Sequence, residues 1–322
     1  MRLQVCAVII IVGGLMASHR QSGDSTVWAA VNQSGQGRLE PVSGAGSTLG
    51  VETGDLLNSF ATSSGGPLGL ATASDGEGDS QAFIVSPSTR EVVSLGGEFV
   101  NLEGSAVLPN DEWGYLADQG LYAVPALDAV NLSTDQVTQI TSLPGSSPAM
   151  SAVAACNDKK VVATDDGDNL LDIFSGVEAS PTDPTERAVA VDPDPVAVAC
   201  SRGFAYVVSE ASGALTVIDL ATASVTATIA VGTEPDAVAV AFRKIYVANS
   251  GSNNISIIAV GATKVKATVD VGSSPDGIAV SGDVYVSNYG SNNVTVLTPG
   301  GSPVETIGGV PAPEAVAVVK SS

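Results

Sequence analysis

Through the last third of the chain, short runs of β-branched and aromatic residues alternate with clusters of Gly, Ser, Asn and Asp. One unit reads Ile278-Ala279-Val280, then Val284-Tyr285-Val286, then Val294-Thr295-Val296, then Val304-Glu305-Thr306-Ile307. Such runs, bounded by turn residues, predict four short antiparallel strands. The connections at 281–283 and 291–293 carry Gly and Asn, which tolerate the positive φ that tight hairpins need. No helical periodicity competes, and the one long apolar run without turn signals lies at the N-terminus.

The unit repeats. Pro235-Asp236 recurs as Pro275-Asp276, a step of 40 residues, Pro195 stands another 40 upstream, and Tyr206 matches Tyr246 and Tyr285. A period near 40 built from four strands predicts a β-propeller, an all-β ring of four-stranded antiparallel blades. Second strands are expected at Val27-Trp28-Ala29, 68–73, Leu121-Tyr122-Ala123-Val124, Val161-Val162-Ala163, Ala205-Tyr206-Val207, Ile245-Tyr246-Val247 and Val284-Tyr285-Val286, which makes seven blades of about 43 residues each. The chain finishes on Pro313-Glu314-Ala315-Val316-Ala317-Val318, an inner-strand motif with no blade after it, whereas Val27-Trp28-Ala29 has no inner strand before it. The expectation is that the C-terminal strand pairs into the N-terminal blade and closes the ring, removing exposed edges.

Tyr246-Val247-Ala248-Asn249 and Tyr285-Val286-Ser287-Asn288, each trailed by Gly-Ser-Asn-Asn and preceded by Gly-x-x-Pro-Asp, resemble the YVTN-repeat family of β-propellers. The resemblance is densest over residues 192–322 and fades towards the N-terminus. It implies a secreted or surface-layer protein. The wider fold group holds lactonases, streptogramin lyases and haem-bearing reductases, so the motif, which builds blades, carries fold rather than activity.

The chain has 13 Lys plus Arg against 34 Asp plus Glu, a net charge of −21. Phosphate backbones and anionic membranes repel such a surface, so nucleic acid is not an expected partner. With 44% hydrophobic residues it buries a core and is no disordered acidic tail. Residues 1–18 read as a secretory signal peptide or uncleaved signal anchor: Arg2, an apolar run from Val5 to Met16, then Ala17-Ser18. Residues 19–25 read as a linker and 26–322 as a single propeller domain. The expected location is therefore secreted or cell envelope, touching the membrane only through a possible N-terminal anchor.

After the signal, Cys156 and Cys200 end inner strands of neighbouring blades four and five, where an oxidising compartment would let them form a disulfide; two buried thiols are the alternative. The one histidine, His19, lies at the signal boundary, so the folded body has no imidazole. A Ser-His-Asp relay, an axial haem histidine and a histidine general base are excluded within it. That departs from the lyases and reductases of the fold group.

What remains is carboxylate chemistry. Asp236, Asp276 and Glu314 follow the repeat proline at the start of three adjacent inner strands and are expected at one mouth of the central channel, with Asp194 near the same place in blade five. Such acids could hold Ca²⁺ or Mg²⁺; otherwise no cofactor is expected. Asp165-Asp166-Gly167-Asp168-Asn169 and Asp75-Gly76-Glu77-Gly78-Asp79 read as hairpin turns, since neither has the twelve-residue loop of an EF-hand. Asn32, Asn131, Asn254 and Asn293 fit the glycan-acceptor pattern, although two coincide with repeat turns. Tyr206, Tyr246, Tyr285 and Trp28 read as packing between blades. The resulting expectation is a non-catalytic, monomeric binding or structural module for a cell-surface protein or polysaccharide, with no catalytic residues. The alternative is a metal-dependent, lactonase-like hydrolase using Asp236, Asp276 and Glu314, and a third reading is the extracellular head of a longer surface protein.

Overall fold

The computed structural model describes residues 25–320 apart from 34–35, 44–48, 51–55, 63–67, 75–78, 87–88, 90, 98, 120–124, 141–142, 144–148 and 157–158. The expected signal, His19, the run at 121–124 and most of the 75–79 turn lie outside the described residues. Seven antiparallel sheets stand around an axis, and the only helical element among the described residues is a single turn, Tyr289–Ser291. Blade six is representative: inner strand Pro235–Ala241, then Lys244–Asn249, Asn254–Ala259 and the outer strand Ala267–Asp270. The other inner strands are Pro313–Lys320, Leu56–Thr62, Leu102–Val107, Met150–Cys156, Pro195–Ser201 and Pro275–Ser281, for blades one to five and seven. Each lies beside the next around a closed circle. The closure is the expected one: Pro313–Lys320 pairs with Ser25–Gln33 from Ser25 opposite Lys320 to Val31 opposite Pro313.

One expected strand is misplaced. The second strand of blade three is Trp113–Asp118, not the run at 121–124. Its Tyr115 stands opposite Ala106, as Tyr206 stands opposite Ala199, Tyr246 opposite Ala239, Tyr285 opposite Ala279 and Trp28 opposite Ala317. The pattern pairs a large ring with a small inner residue, and the ring fills the gap to the adjoining blade. The Tyr246 hydroxyl donates to the Pro299 carbonyl of blade seven at 3.0 Å, and that of Tyr115 to the Pro181 carbonyl of blade four at 3.0 Å. Trp28, Tyr115, Tyr206 and Tyr246 are buried and Tyr285 is half-buried, so these aromatics are core, each buried hydroxyl needing such an acceptor.

Every inner strand carries a bulge. The register against the second strand slips by one residue near its start in all seven blades, skipping Glu314, Asn58, Glu103, Ser151, Val196, Asp236 and Asp276, in blade order. A bulge bends the strand and re-aims one side chain. The next position is small in every blade: Ala315, Ser59, Gly104, Ala152, Ala197, Ala237 and Gly277. The reason is distance: a Cβ added to Gly104 would stand 2.9 Å from the Ala152 Cα of the adjoining inner strand. Neighbouring inner strands thus meet backbone to backbone.

Cys156 and Cys200 form the disulfide that joins the inner strands of blades four and five, with a Cα–Cα distance of 5.3 Å and both residues buried.

Candidate functional site

The bulge residues form a ring at the mouth where the inner strands begin, and they differ in what they can donate. Asn58 Nδ2 donates to the Leu102 carbonyl of blade three at 3.0 Å, and Ser151 Oγ donates to the Pro195 carbonyl of blade five at 2.8 Å. In both, the acceptor is the residue just before the next blade's bulge. A charged carboxylate at this position has no proton to give. Four of the seven positions are acidic: Glu103, Asp236, Asp276 and Glu314.

Asp236, Asp276 and Glu314 occupy consecutive blades six, seven and one, as the sequence places them. Burial raises the pKa of Asp276 well above the ordinary range, and the charges of Asp236 and Glu314 push it further. Its Oδ1 is buried without a hydrogen-bond partner. Glu314 is 5% exposed, its Oε2 has no partner, and burial pushes its pKa to about 7 against a small opposing effect of Asn32. Asn32 itself bridges blades one and two, donating to the Leu57 carbonyl at 3.1 Å and accepting from the Leu57 N–H at 2.8 Å. That role makes it structural.

Two residues correct or extend the sequence reading. Asp194 lies outside the ring: blade five presents apolar Val196 at the bulge, while the Asp194 N–H donates to Asn169 Oδ1 at 2.9 Å and its carboxylate acts on Asp166. Glu103 belongs to the ring although no repeat proline precedes it, and its Oε1 accepts from Asn101 Nδ2 at 3.1 Å. Its signal was Leu102-Glu103-Gly104, an acid before an obligatorily small residue. Among the described residues, no group of three or more His, Cys, Asp or Glu side chains is gathered closely enough to ligate a metal ion.

Asp165 ends a strand and the turn follows it, as expected, its Oδ1 accepting from the N–H groups of Ala149 at 2.8 Å and Asp168 at 3.2 Å. Asn254 and Asn293 serve their turns by accepting from Asn249 and Asn288, each at 2.8 Å. Asn131 Oδ1 accepts from the backbone of Ser133 and Thr134, each at 3.0 Å.

Charge is divided between the two faces. On the mouth face the connecting segments carry Asp166, Asp168, Asp192, Asp194, Glu210 and Glu234 and, among the described residues, no lysine or arginine. Lys159, Arg202, Arg243 and Lys264 all lie in turns of the opposite face, where Lys159 pairs with Glu178 at 2.7 Å. The opposite-face turns also carry Asp111, Glu112, Asp135, Glu178 and Asp183, so their acids are offset by bases, whereas the described mouth connections hold acids without an offsetting lysine or arginine.

No family model matches the sequence, and no curated protein matches it. Among solved structures, a functionally unknown protein from Desulfotomaculum acetoxidans superposes with a TM-score of 0.75 at 11% identity, over 93% of this chain and 100% of the other. The periplasmic gluconolactonase PpgL of Pseudomonas aeruginosa gives 0.69 at 17% identity, over 92% and 99%. A chain of the nidogen/laminin complex gives 0.56 at 12%, over 92% and 99%. At these identities the likeness is one of fold, and the chain is a seven-bladed β-propeller similar to proteins of quite different activity.

Proposed function

We propose that this propeller is an extracytoplasmic, non-catalytic binding module that takes the cationic part of a cell-surface partner at its acidic mouth. One observation carries the reading: at three consecutive bulges the ring presents Asp276, Asp236 and Glu314, acids with buried, unpartnered oxygens on Asp276 and Glu314, where Asn58 and Ser151 present donors. A ligand ammonium or guanidinium supplies the missing donors and the missing charge together. The buried disulfide fits an oxidising compartment.

A second reading has its own support. Glu314, with its pKa raised to about 7, matches what proton transfer near neutral pH requires. In a lactonase-like hydrolase it would be the proton-carrying group, with Asp236 and Asp276 beside it.

One experiment separates the two. Immobilised full-length protein is offered an envelope extract at low and at high salt, and the same protein is assayed against an aldonolactone. Retention of a partner at low salt, released at high salt, with no turnover is the expected result. Clear turnover without any retained partner would overturn the binding reading in favour of the hydrolase.

A further inference from the structure

In the blades that follow the repeat most closely, the second and third strands are tied by one buried side-chain pair. Asn249 ends the second strand of blade six opposite Asn254, and its Nδ2 donates to Ser256 Oγ, two residues further along, at 3.1 Å. Asn288 of blade seven stands opposite Asn293 and donates to Thr295 Oγ1 at 2.9 Å. The register identifies the same two places in every blade. In blade three they hold Asp118, opposite Ala126, and Asp128; in blade four they hold Asp165, opposite Leu170, and Asp172.

We propose that blades three and four replace the amide–hydroxyl tie by a pair of carboxyls sharing a proton, which makes this part of the ring locked in acid and loosened in base. Asp128 and Asp172 are fully buried, and none of their four oxygens has a hydrogen-bond partner. Two carboxylates can only accept, so neither can satisfy the other; one proton restores the donor that asparagine supplies elsewhere. In blade four the proton belongs on Asp172, because Asp165 already accepts two backbone N–H groups that favour its charged form.

The surroundings agree. The charges acting on Asp172 are Glu186 of the outer strand, Asp165 of the second strand and Asp168 of the turn, all negative, and the adjoining face of blade three offers the neutral ring of Tyr115 with Ala117. Asp128 is acted on by Asp118 of the second strand, while Gln139 of the outer strand approaches without closing a hydrogen bond of ordinary geometry. Against that face blade two presents Leu70 and Ile84, packed with Leu116 and Val130. Burial first, then these neighbours, raise Asp128 to about 7 and Asp172 to about 8. The folded chain therefore holds protons that the unfolded chain has released, from about pH 4 upwards, and stability falls as pH rises through that window to about 8.

The test is thermal unfolding of the full chain between pH 4.5 and 8.5, for the wild type, for Asp128→Asn with Asp172→Asn, and for Asp165→Asn with Asp172→Thr, which rebuilds the blade-seven pair. The wild-type Tm is expected to fall by about 10 °C or more from acid to pH 8, and the variants to gain about 5 °C at pH 8 and nothing at pH 4.5. An unchanged slope, or a gain equal at both ends, would overturn the proposal. Native-state hydrogen exchange on the wild type decides independently of how the variants fold. Protection of Ala126–Asn131 and Leu170–Ser175 should drop at least about tenfold between pH 5 and 8, with Asn254–Ala259 unaffected. Uniform loosening of all blades, or of none, would refute it.

Discussion

Removing residues 313–322 is expected to abolish the cooperative unfolding transition and leave a protein that aggregates. That segment contains the inner strand of blade one, Pro313–Lys320, and its loss strips Ser25–Gln33 of a partner along seven residue pairs. It also removes the neighbour of the inner strands of blades two and seven, including the hydrogen bond from Thr62 Oγ1 to the Val318 carbonyl at 2.7 Å. Buried apolar surface and the newly unpaired edge of Ser25–Gln33 would then face water together. A subtler probe keeps the strand. Val316→Asp places an uncompensated charge at a site with 0% exposure, next to the buried acid Glu314, and should cost about 4 kcal/mol. Size-exclusion chromatography and thermal melts read both; a truncated chain that stays monomeric and melts sharply would mean that the ring does not depend on its closing strand.

The second large effect is expected at the disulfide. Cys156 and Cys200 are 44 residues apart, and releasing a loop of that length from its cross-link gives back about 4 kcal/mol of unfolded-state entropy. Cys156→Ala with Cys200→Ala, which keeps small apolar groups at both buried sites, should therefore lower the Tm by about 10 °C. The wild type, denatured without reductant, should leave neither of these two cysteines open to alkylation. Alkylation of both, or a double variant as stable as the parent, would show that the bridge contributes nothing.

The blade count, the closing strand and the Cys156–Cys200 bridge were legible because each rests on a local signal: a turn residue, an alternating run, or a cysteine at a repeat position. Blade three was not legible at its second strand. The run at 121–124 has the right residue types, but the inner strand already ends at Val107, and after the turn 108–112 the chain enters its second strand at Trp113–Asp118. The true marker, Tyr115 in step with Tyr206 and Tyr246, is followed by Leu116, where both of the others are followed by a valine.

The site divides in the same way. Asp236, Asp276 and Glu314 were readable because the proline before each marks the bulge. Asp194 misled because a residue one side of that proline lies in the loop and the residue on the other side lies at the mouth. Asp128 and Asp172 carry no linear signal at all. Their meaning comes from strand register, which sets an acid diagonally across from another acid, and from complete burial of both, which no composition or spacing expresses.

The central claim is that the acidic mouth is where the partner binds, and the most direct measurement of it is retention of that partner by the triple variant Asp236→Asn, Asp276→Asn and Glu314→Gln. These substitutions supply side-chain donors and remove the charge, so the fold should survive, with a Tm at pH 7 no lower than that of the parent. The envelope partner held by the wild type at low salt is expected to be lost by the triple variant, while a control that neutralises Asp219 on the opposite face still holds it. Equal retention by the wild type and the triple variant would contradict the account and place the binding surface elsewhere on the ring.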